Sequence, residues 1–435
     1  MKRVHNPFLF YIDKIYFSCL ICNTMMNYRV RSIPHPQYSN QLLPLLVNMR
    51  NCQLPEPSAA LWGWNLWLSQ KYNTAKNRLH DLCIFYEYVD RHYPLFFEDA
   101  AKLNIMTRRQ TNDLASFLLI NFDYDVEDGV QVSASTFNRR IDSIMLFLQY
   151  HYSRYIEKIV VSDTADALSR TVSRINAHLA KKRFSAAEVE NQTKQTKPLE
   201  VEQINIIRDI VRPSDDNFIN EINPFRKSLQ RRNACLVMLL CELGCRASEL
   251  ILIRNNDNDL KLTTNPTIVI QQENRNTNHF RGRKDGASHK TRGRELPISQ
   301  GLASLLIQYI EEDRPLLRKS YNGSLTQYLF ISDQDGGPMT TKGLMYVINS
   351  LYRKTPSLKQ VIHPHQFRVT RGGQLRDGID KNYEGANSPM IKAGDMQDTL
   401  TTWGGWSSTS LMPKRYTNAI LQKRIRAYLA GKEVD

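Results

Sequence analysis

Apolar residues in this chain recur mostly at the 3.6-residue period of a helix, and that rhythm constrains the fold more than any other feature. Leu79, Leu82, Tyr86 and Val89 share one face. Phe137, Ile141, Ile144, Met145 and Leu148 share another, with Arg139 and Arg140 on the opposite side. A third stripe, Leu168, Val172, Ile175 and Leu179, backs a polar face carrying Arg170, Arg174, Lys181, Lys182 and Arg183. Each stripe must be buried against a neighbour, so the first half is expected to be a small helical bundle. A charged face is usually solvated surface. Several basic faces in one domain strengthen the case for contact with a phosphate backbone.

Residues 184–197 are polar, lack periodicity and read as an interdomain linker. A helix is expected over 201–211, stopped by Pro213 and followed by a polar loop at 214–224. A long apolar helix follows around 234–243, with Gly244 as its cap. The pattern then changes. Residues 267–271 are β-branched and 295–298 form a second extended run, with a polar, basic stretch at 274–294 between them. This reads as a β-hairpin with a long tip, to which 329–331 is a candidate further strand. Leu344, Val347, Ile348 and Leu351 return to the helical period, as do Leu421, Ile425 and Tyr428. The expected fold class is mainly α with a small antiparallel β-sheet. The expected organisation is an N-terminal arm or extension over 1–55, a helical domain over 56–183, the linker at 184–197, and a second domain over 198–435 with a C-terminal helix.

A length of 435 residues suits two domains. The 58 Lys and Arg against 43 Asp and Glu give a net charge of +15, which favours a polyanionic partner without choosing between nucleic acid and a membrane surface. The most apolar stretch, 8–22, is interrupted by Asp13 and Lys14 and is too short to span a bilayer. It also lacks the small-residue cleavage site of a signal peptide. The first two dozen residues, ahead of Met25 and Met26, therefore read as an extension or floppy arm. Seven cysteines is an odd number, and Cys83, Cys235 and Cys241 lie on apolar helical stretches, as buried thiols of a reducing compartment do. Cys19 and Cys22 form a lone C-x-x-C with no second ligand pair, so unpaired thiols are favoured over a zinc site.

Four motifs carry chemistry. Gly244-Cys245-Arg246-Ala247-Ser248-Glu249-Leu250 directly follows the long apolar helix. His289-Lys290-Thr291-Arg292-Gly293-Arg294-Glu295-Leu296-Pro297-Ile298 lies on the hairpin. His365-Gln366-Phe367-Arg368 comes third, and Gly405-Trp406-Ser407-Ser408 precedes Arg415-Tyr416-Thr417-Asn418. Any one alone is weak. In this order, with a tyrosine near the C-terminus, they resemble the tyrosine recombinase (phage integrase) family over about residues 198–430. The helical first half is more loosely similar to that family's DNA core-binding domain, and the second half to its catalytic domain. Tyr416 stands one residue farther from Trp406 than in the usual pattern, and the stretch from Arg368 to Trp406 is longer. The extra piece is placed near 381–395, which contains Gly385, Asn387 and Pro389, and reads as a loop. The segment before Tyr416, with Pro413, reads as a mobile loop rather than a rigid helix.

The residue types fit the implied reaction. A phosphodiester is anionic and gathers further charge during in-line displacement, and paired guanidinium N–H donors can clamp its oxygens in a way an ammonium cannot. Arg246 and Arg368 take this role by resemblance. Taken alone, Arg246 reads as readily as an ion-pair partner of Glu249. Tyr416, one of 20 tyrosines, is the implied nucleophile. Its phenol is protonated at neutral pH, so it needs the base or hydrogen-bond help that His365 can give. Trp406 can donate its indole N–H to the phosphate or pack beneath the site, and both can hold. The hairpin lysine is implied as general acid for the departing 5′ oxygen, with Lys290 preferred and Lys284 the alternative.

The resemblance implies a site-specific recombinase or integrase of a mobile element or chromosome. It would grip duplex DNA in a C-shaped clamp and join 3′-phosphotyrosine chemistry to strand exchange without metal or ATP. The implied partners are duplex DNA, a homo-tetramer on two DNA sites and an accessory DNA-bending or directionality protein. No membrane is involved, and the implied location is cytoplasmic and nucleoid-associated. Rival outcomes are a type IB-like topoisomerase, a telomere resolvase, or a non-catalytic DNA-binding regulator derived from an integrase. A metal-dependent nuclease is disfavoured because no paired-carboxylate motif is evident. The C-terminal stripe allows packing on its own domain or docking on a neighbouring protomer, and docking is expected.

Overall fold

The computed structural model describes residues 26–35, 41–124, 129–193, 195–272, 283, 285–318, 326–358, 361–383 and 389–429. The first two dozen residues with Cys19 and Cys22, and Lys284, Gly385 and Asn387, lie outside the described residues, as do the side chains of Lys423 and Tyr428. The chain divides into two compact units: residues 1–194 with 281–286, and residues 195–280 with 287–435.

The described part of the first unit opens with strands. β1 (Tyr28–Pro34), β2 (Leu42–Asn48) and β3 (Leu54–Pro55) form an antiparallel sheet in the order β1-β2-β3, with Tyr28 opposite Asn48 and Pro34 opposite Leu42. Tyr28 and Leu46 belong to the same buried core as the helices, so residues 28–55 are part of this unit and correct the expected boundary at residue 56. Asn27 and Tyr28 are tied down through their backbone N–H groups, which donate to the carboxylate of Glu87.

The helices are α1 (Pro57–Ser69), α2 (Tyr72–His92), α3 (Phe96–Ala101), α4 (Arg108–Leu118), α5 (Ala134–Ile156), α6 (Ser162–Ala180) and α7 (Ala186–Gln192). Leu79, Leu82, Tyr86 and Val89 on α2 are all buried, as are Phe137, Ile141, Ile144 and Leu148 on α5. Each such side chain contributes on the order of 1.5–3 kcal/mol relative to exposure. Arg140 departs from the solvated basic face the sequence suggested, while Arg139 stays half-exposed. Arg139 chelates buried Asp81 at 2.9–3.2 Å, and Arg140 is itself buried, donating to the carbonyls of Leu118 at 2.7 Å and Ile120 at 2.8 Å. The stretch read as a linker contains α7, whose first turn is closed by reciprocal bonds between Ser185 and Glu188.

The second unit is built around α9 (Lys227–Leu243), whose second half is apolar on nearly every side and sits in the core, preceded by α8 (Val201–Val211). Gly244 caps α9 at φ 58°, the left-handed region. After α10 (Ala247–Ile251) come β4 (Leu260–Lys261), β5 (Thr267–Ile270) and β6 (Arg294–Pro297), antiparallel in that order, with Thr267 opposite Pro297 and Ile270 opposite Arg294. The expected hairpin is present. Residues 328–331 do not join its sheet and make only isolated bridges to Arg254 and Pro338.

α11 (Gln300–Gln308) passes through one wide turn into α12 (Arg314–Leu317), followed by α13 (Thr341–Lys354), α14 (Pro364–Asn382), α15 (Pro389–Gly404) and α16 (Met412–Leu429). The segment before Tyr416 is therefore helical: Pro413 stands in the first turn of α16, where its missing N–H is harmless, and its carbonyl accepts from Thr417. The first turns of α16 pack on the chain's own α14. Thr417 is fully buried and accepts from Arg376, and Arg424 pairs with Asp377 and Asp380. Farther along, Ile425 and Leu429 are exposed. Among the described residues no helix is long and apolar enough to cross a membrane.

Candidate active site

The left-handed turn at Gly244 redirects the chain so that Arg246 starts α10 with Glu249 one turn on. The Glu249 carboxylate is fully buried and becomes the hub of the site. One oxygen accepts from the Arg246 guanidinium at 2.8 Å and the Thr291 hydroxyl at 2.7 Å. The other accepts from the Arg246 backbone N–H at 3.0 Å and Arg294 Nη2 at 2.8 Å, and stands 4.0 Å from Arg368 Nη1. Burial pushes this carboxyl up, but the Arg294 and Arg368 guanidiniums and the Arg246 N–H outweigh it and hold it at about 2. The ion pair of Arg246 with Glu249 thus exists and does not exclude a second role, since three guanidiniums surround one carboxylate.

α14 begins at Pro364 with reciprocal capping between His363 and Gln366, which sets His365 and Arg368 one turn apart on the same helix. Arg368 is 1% exposed. Its Nη1 donates to the Gly244 carbonyl at 2.9 Å and its Nη2 to the Gly404 carbonyl at 3.1 Å, while its Nε is buried without a partner. Three rings surround the guanidinium: Trp403 at 4.7 Å, Trp406 at 5.0 Å and Tyr416 at 5.1 Å. Burial, and then the charge of Arg246, lower this group to about 10, so it stays cationic at neutral pH.

Tyr416, on α16, is 6% exposed. Its ring stacks on Trp406 with centroids 5.0 Å apart and meets His365 edge-on at 5.4 Å. The His365 imidazole, open to solvent on one side, is lowered from its ordinary value by partial desolvation and by the charges of Arg368, Arg415 and Arg246, so it is neutral at pH 7 and able to accept a proton. The Trp406 indole N–H is buried without an acceptor.

The structure thus brings together Arg246, His365, Arg368, Trp406 and Tyr416. Lys290 is exposed and stands one residue before Thr291, which is bonded to the Glu249 hub. The Arg292 N–H is bonded to the Gly405 carbonyl at 3.0 Å, beside Trp406. Sequence reasoning missed Trp403, Arg294 and Thr291. The last two lie inside the hairpin motif already singled out. Trp403 carries no motif signal beyond its place three residues before Trp406. Among the described residues no group of three or more His, Cys, Asp or Glu side chains could hold a metal ion.

Residues 215–381 match the phage integrase family, a span that holds Arg246, Lys290, His365 and Arg368. The tyrosine recombinase XerC of Bacillus pumilus is 28% identical over 153 residues, covering 35% of this chain and 43% of that relative. This part of the chain is similar to the tyrosine recombinase (phage integrase) family. XerC of Bacillus licheniformis is 29% identical over 161 residues, 37% of this chain and 46% of the relative. The chain spans about half the length of the curated relatives it matches. A solved structure of the XerH site-specific recombinase bound to palindromic difH substrate is similar over 87% of this chain and 86% of its own, with 15% identity and a TM-score of 0.49. Trp406 and Tyr416 lie beyond the family span, so their place in the site rests on the geometry above.

Proposed function

We propose that this chain cuts and rejoins duplex DNA through a 3′-phosphotyrosine at Tyr416. The observation that carries the reading is the packing of the Tyr416 ring against His365, Trp406 and the Arg368 guanidinium. The Tyr416 oxygen attacks phosphorus, its proton passes to His365, and the bond to the 5′ oxygen breaks as Lys290 protonates that oxygen. Arg246 and Arg368 stabilise the charge on the non-bridging oxygens. Attack by a 5′-hydroxyl reverses each transfer and releases the tyrosine. The phosphodiester bond energy is kept in the phosphotyrosine, so the sequence of steps balances without ATP or a metal ion.

Two features support a phosphate at this place. Arg368 Nε and the Trp406 indole N–H are buried donors without acceptors, and phosphate oxygens would satisfy them. The surplus of guanidinium over carboxylate around Glu249 favours a bound anion. Because Arg368 is 1% exposed and Tyr416 lies over it, the phosphate reaches the guanidinium only once the Tyr416 ring swings aside. Recombination between two DNA sites by a homo-tetramer, helped by an accessory DNA-bending or directionality protein at the nucleoid, is the outcome this chemistry serves best.

The test is Tyr416→Phe on nicked suicide duplexes drawn from a random-sequence pool. Loss of every denaturant-resistant adduct with DNA affinity kept supports the assignment, and an adduct that persists names a different nucleophile. Exchange of strands between two labelled duplexes separates a recombinase from a topoisomerase.

A further inference from the structure

Arg368 is held by more than its two carbonyl acceptors. The Trp403 ring lies 4.7 Å from the guanidinium, nearer than Trp406 or Tyr416. Trp403 is 7% exposed, and its indole N–H donates to the Leu243 carbonyl at 2.7 Å. Its slot exists because two neighbours lack side chains. A Cβ on Gly244 would stand 2.9 Å from the Trp403 ring, and one on Gly372 would stand 3.2 Å from it. The same ends of α9 and α15 that hold the indole supply the Gly244 and Gly404 carbonyls to Arg368. The other two rings are poorly suited to hold a cation in place. Tyr416 must leave to react, and the Trp406 N–H has no acceptor to fix it.

We propose that Trp403 is the positioning residue for the Arg368 guanidinium, its π face and its bond to Leu243 holding the cation in register with the scissile phosphate before DNA arrives. This rests on the reading of Arg368 as a phosphate clamp, and Trp403 itself touches no substrate. The attraction is electrostatic, between a desolvated cation and the negative face of an indole, so it weakens as electron density leaves the ring. A guanidinium misplaced by about 1 Å loses most of its effect on the transition state, on the order of a hundredfold in rate.

The test replaces Trp403 with tryptophans bearing one to four ring fluorines, which keep the indole shape and N–H while withdrawing density from the face. Two readouts are taken on the full chain. The first is the solvent exchange of the Arg368 Nη protons in protein labelled with ¹⁵N-arginine, assigned by their loss in Arg368→Ala. The second is the rate of covalent adduct formation on a suicide duplex. Exchange should quicken stepwise with fluorination, and the adduct rate should fall by about 30-fold across the series, the factor expected for a desolvated cation–π contact. Trp403→Leu should move both readouts the same way. A flat response in either readout across the fluorinated series overturns the proposal, because a residue that merely fills space is blind to ring charge. If the unsubstituted chain forms no adduct on any duplex, the proposed function falls, and the exchange series alone still decides whether Trp403 holds Arg368.

Discussion

Both units set arginine against a buried acid, and they do so with opposite balance. In the first, Asp81 accepts from both Nε and Nη2 of the half-exposed Arg139 and from Ser143, while Arg140 is satisfied by the carbonyls of Leu118 and Ile120. In the second, a single carboxylate, Glu249, faces Arg246, Arg294 and Arg368, and Nε of both Arg294 and Arg368 is left buried without an acceptor. A network that only holds a fold tends to close on itself, since each unmet buried donor costs about 1–3 kcal/mol. One that keeps surplus donors and surplus charge stores a demand for an anion.

Removing Arg368 and removing Arg140 should separate these two kinds of network. Arg368→Ala should slow adduct formation by about a hundredfold to a thousandfold, with DNA affinity nearly kept, as read by single-turnover cleavage. Arg140→Ala should leave chemistry alone and lower unfolding free energy by about 2–3 kcal/mol, read by denaturant titration, because two buried carbonyls lose their donor. If Arg140→Ala slows cleavage more than it weakens the fold, the distinction between the networks is wrong.

The units should also differ in acid. His151 is fully buried among Phe96, Phe147 and Tyr155, both ring nitrogens lack partners, and burial lowers it to about 4. The unfolded chain therefore takes up this proton first. Stability of the first unit is complete above the ordinary histidine value and falls by about 3 kcal/mol as pH drops from about 6.5 to about 4. Glu249, held at about 2, stabilises the second unit fully above the ordinary carboxylate value. That contribution, also about 3 kcal/mol, is lost between about pH 4.5 and pH 2. Acid titration followed by residue-resolved amide exchange should show the first unit loosening before the second, and His151→Phe should remove the difference. Simultaneous loosening would show that other groups govern acid unfolding.

The smallest effect concerns α7. Ser185→Ala removes a capping oxygen and should cost about 1 kcal/mol, seen as faster proteolysis within residues 186–192. An unchanged cleavage rate would mean that the Gln192 bond to the Ala134 backbone holds this helix by itself.

The sequence made the helices legible where one face is apolar, and the site legible where a motif is local. The Ser185-x-x-Glu188 signature of α7 was there to be read, but the polar composition around it suggested a linker. β2 was hidden for a different reason. Pro44 argues against a strand with neighbours on both sides, yet β3 pairs only with Val47 and Asn48, so at Pro44 the strand is an edge and the missing N–H is tolerated. Arg140 looked solvated because the end of α4, whose carbonyls take it up, belongs to a different stretch of the sequence. Trp403 was unreadable on the same ground, since its partner Leu243 lies 160 positions away.

The fastening of the hairpin's return strand has a consequence for the search that precedes reaction. Thr291 is bonded to Glu249, and Arg292 N–H to the Gly405 carbonyl, so the backbone immediately after Lys290 is immobilised when the domain folds. Ordering a backbone residue costs about 1–2 kcal/mol, and here that cost falls on folding rather than on the proposed encounter with DNA. What is left for Lys290 to find is a rotamer: the torsions of one long, exposed side chain, worth about 2 kcal/mol in lost freedom when fixed. The ammonium is thereby confined to a small sphere around a fixed origin, a local concentration set by the fold itself.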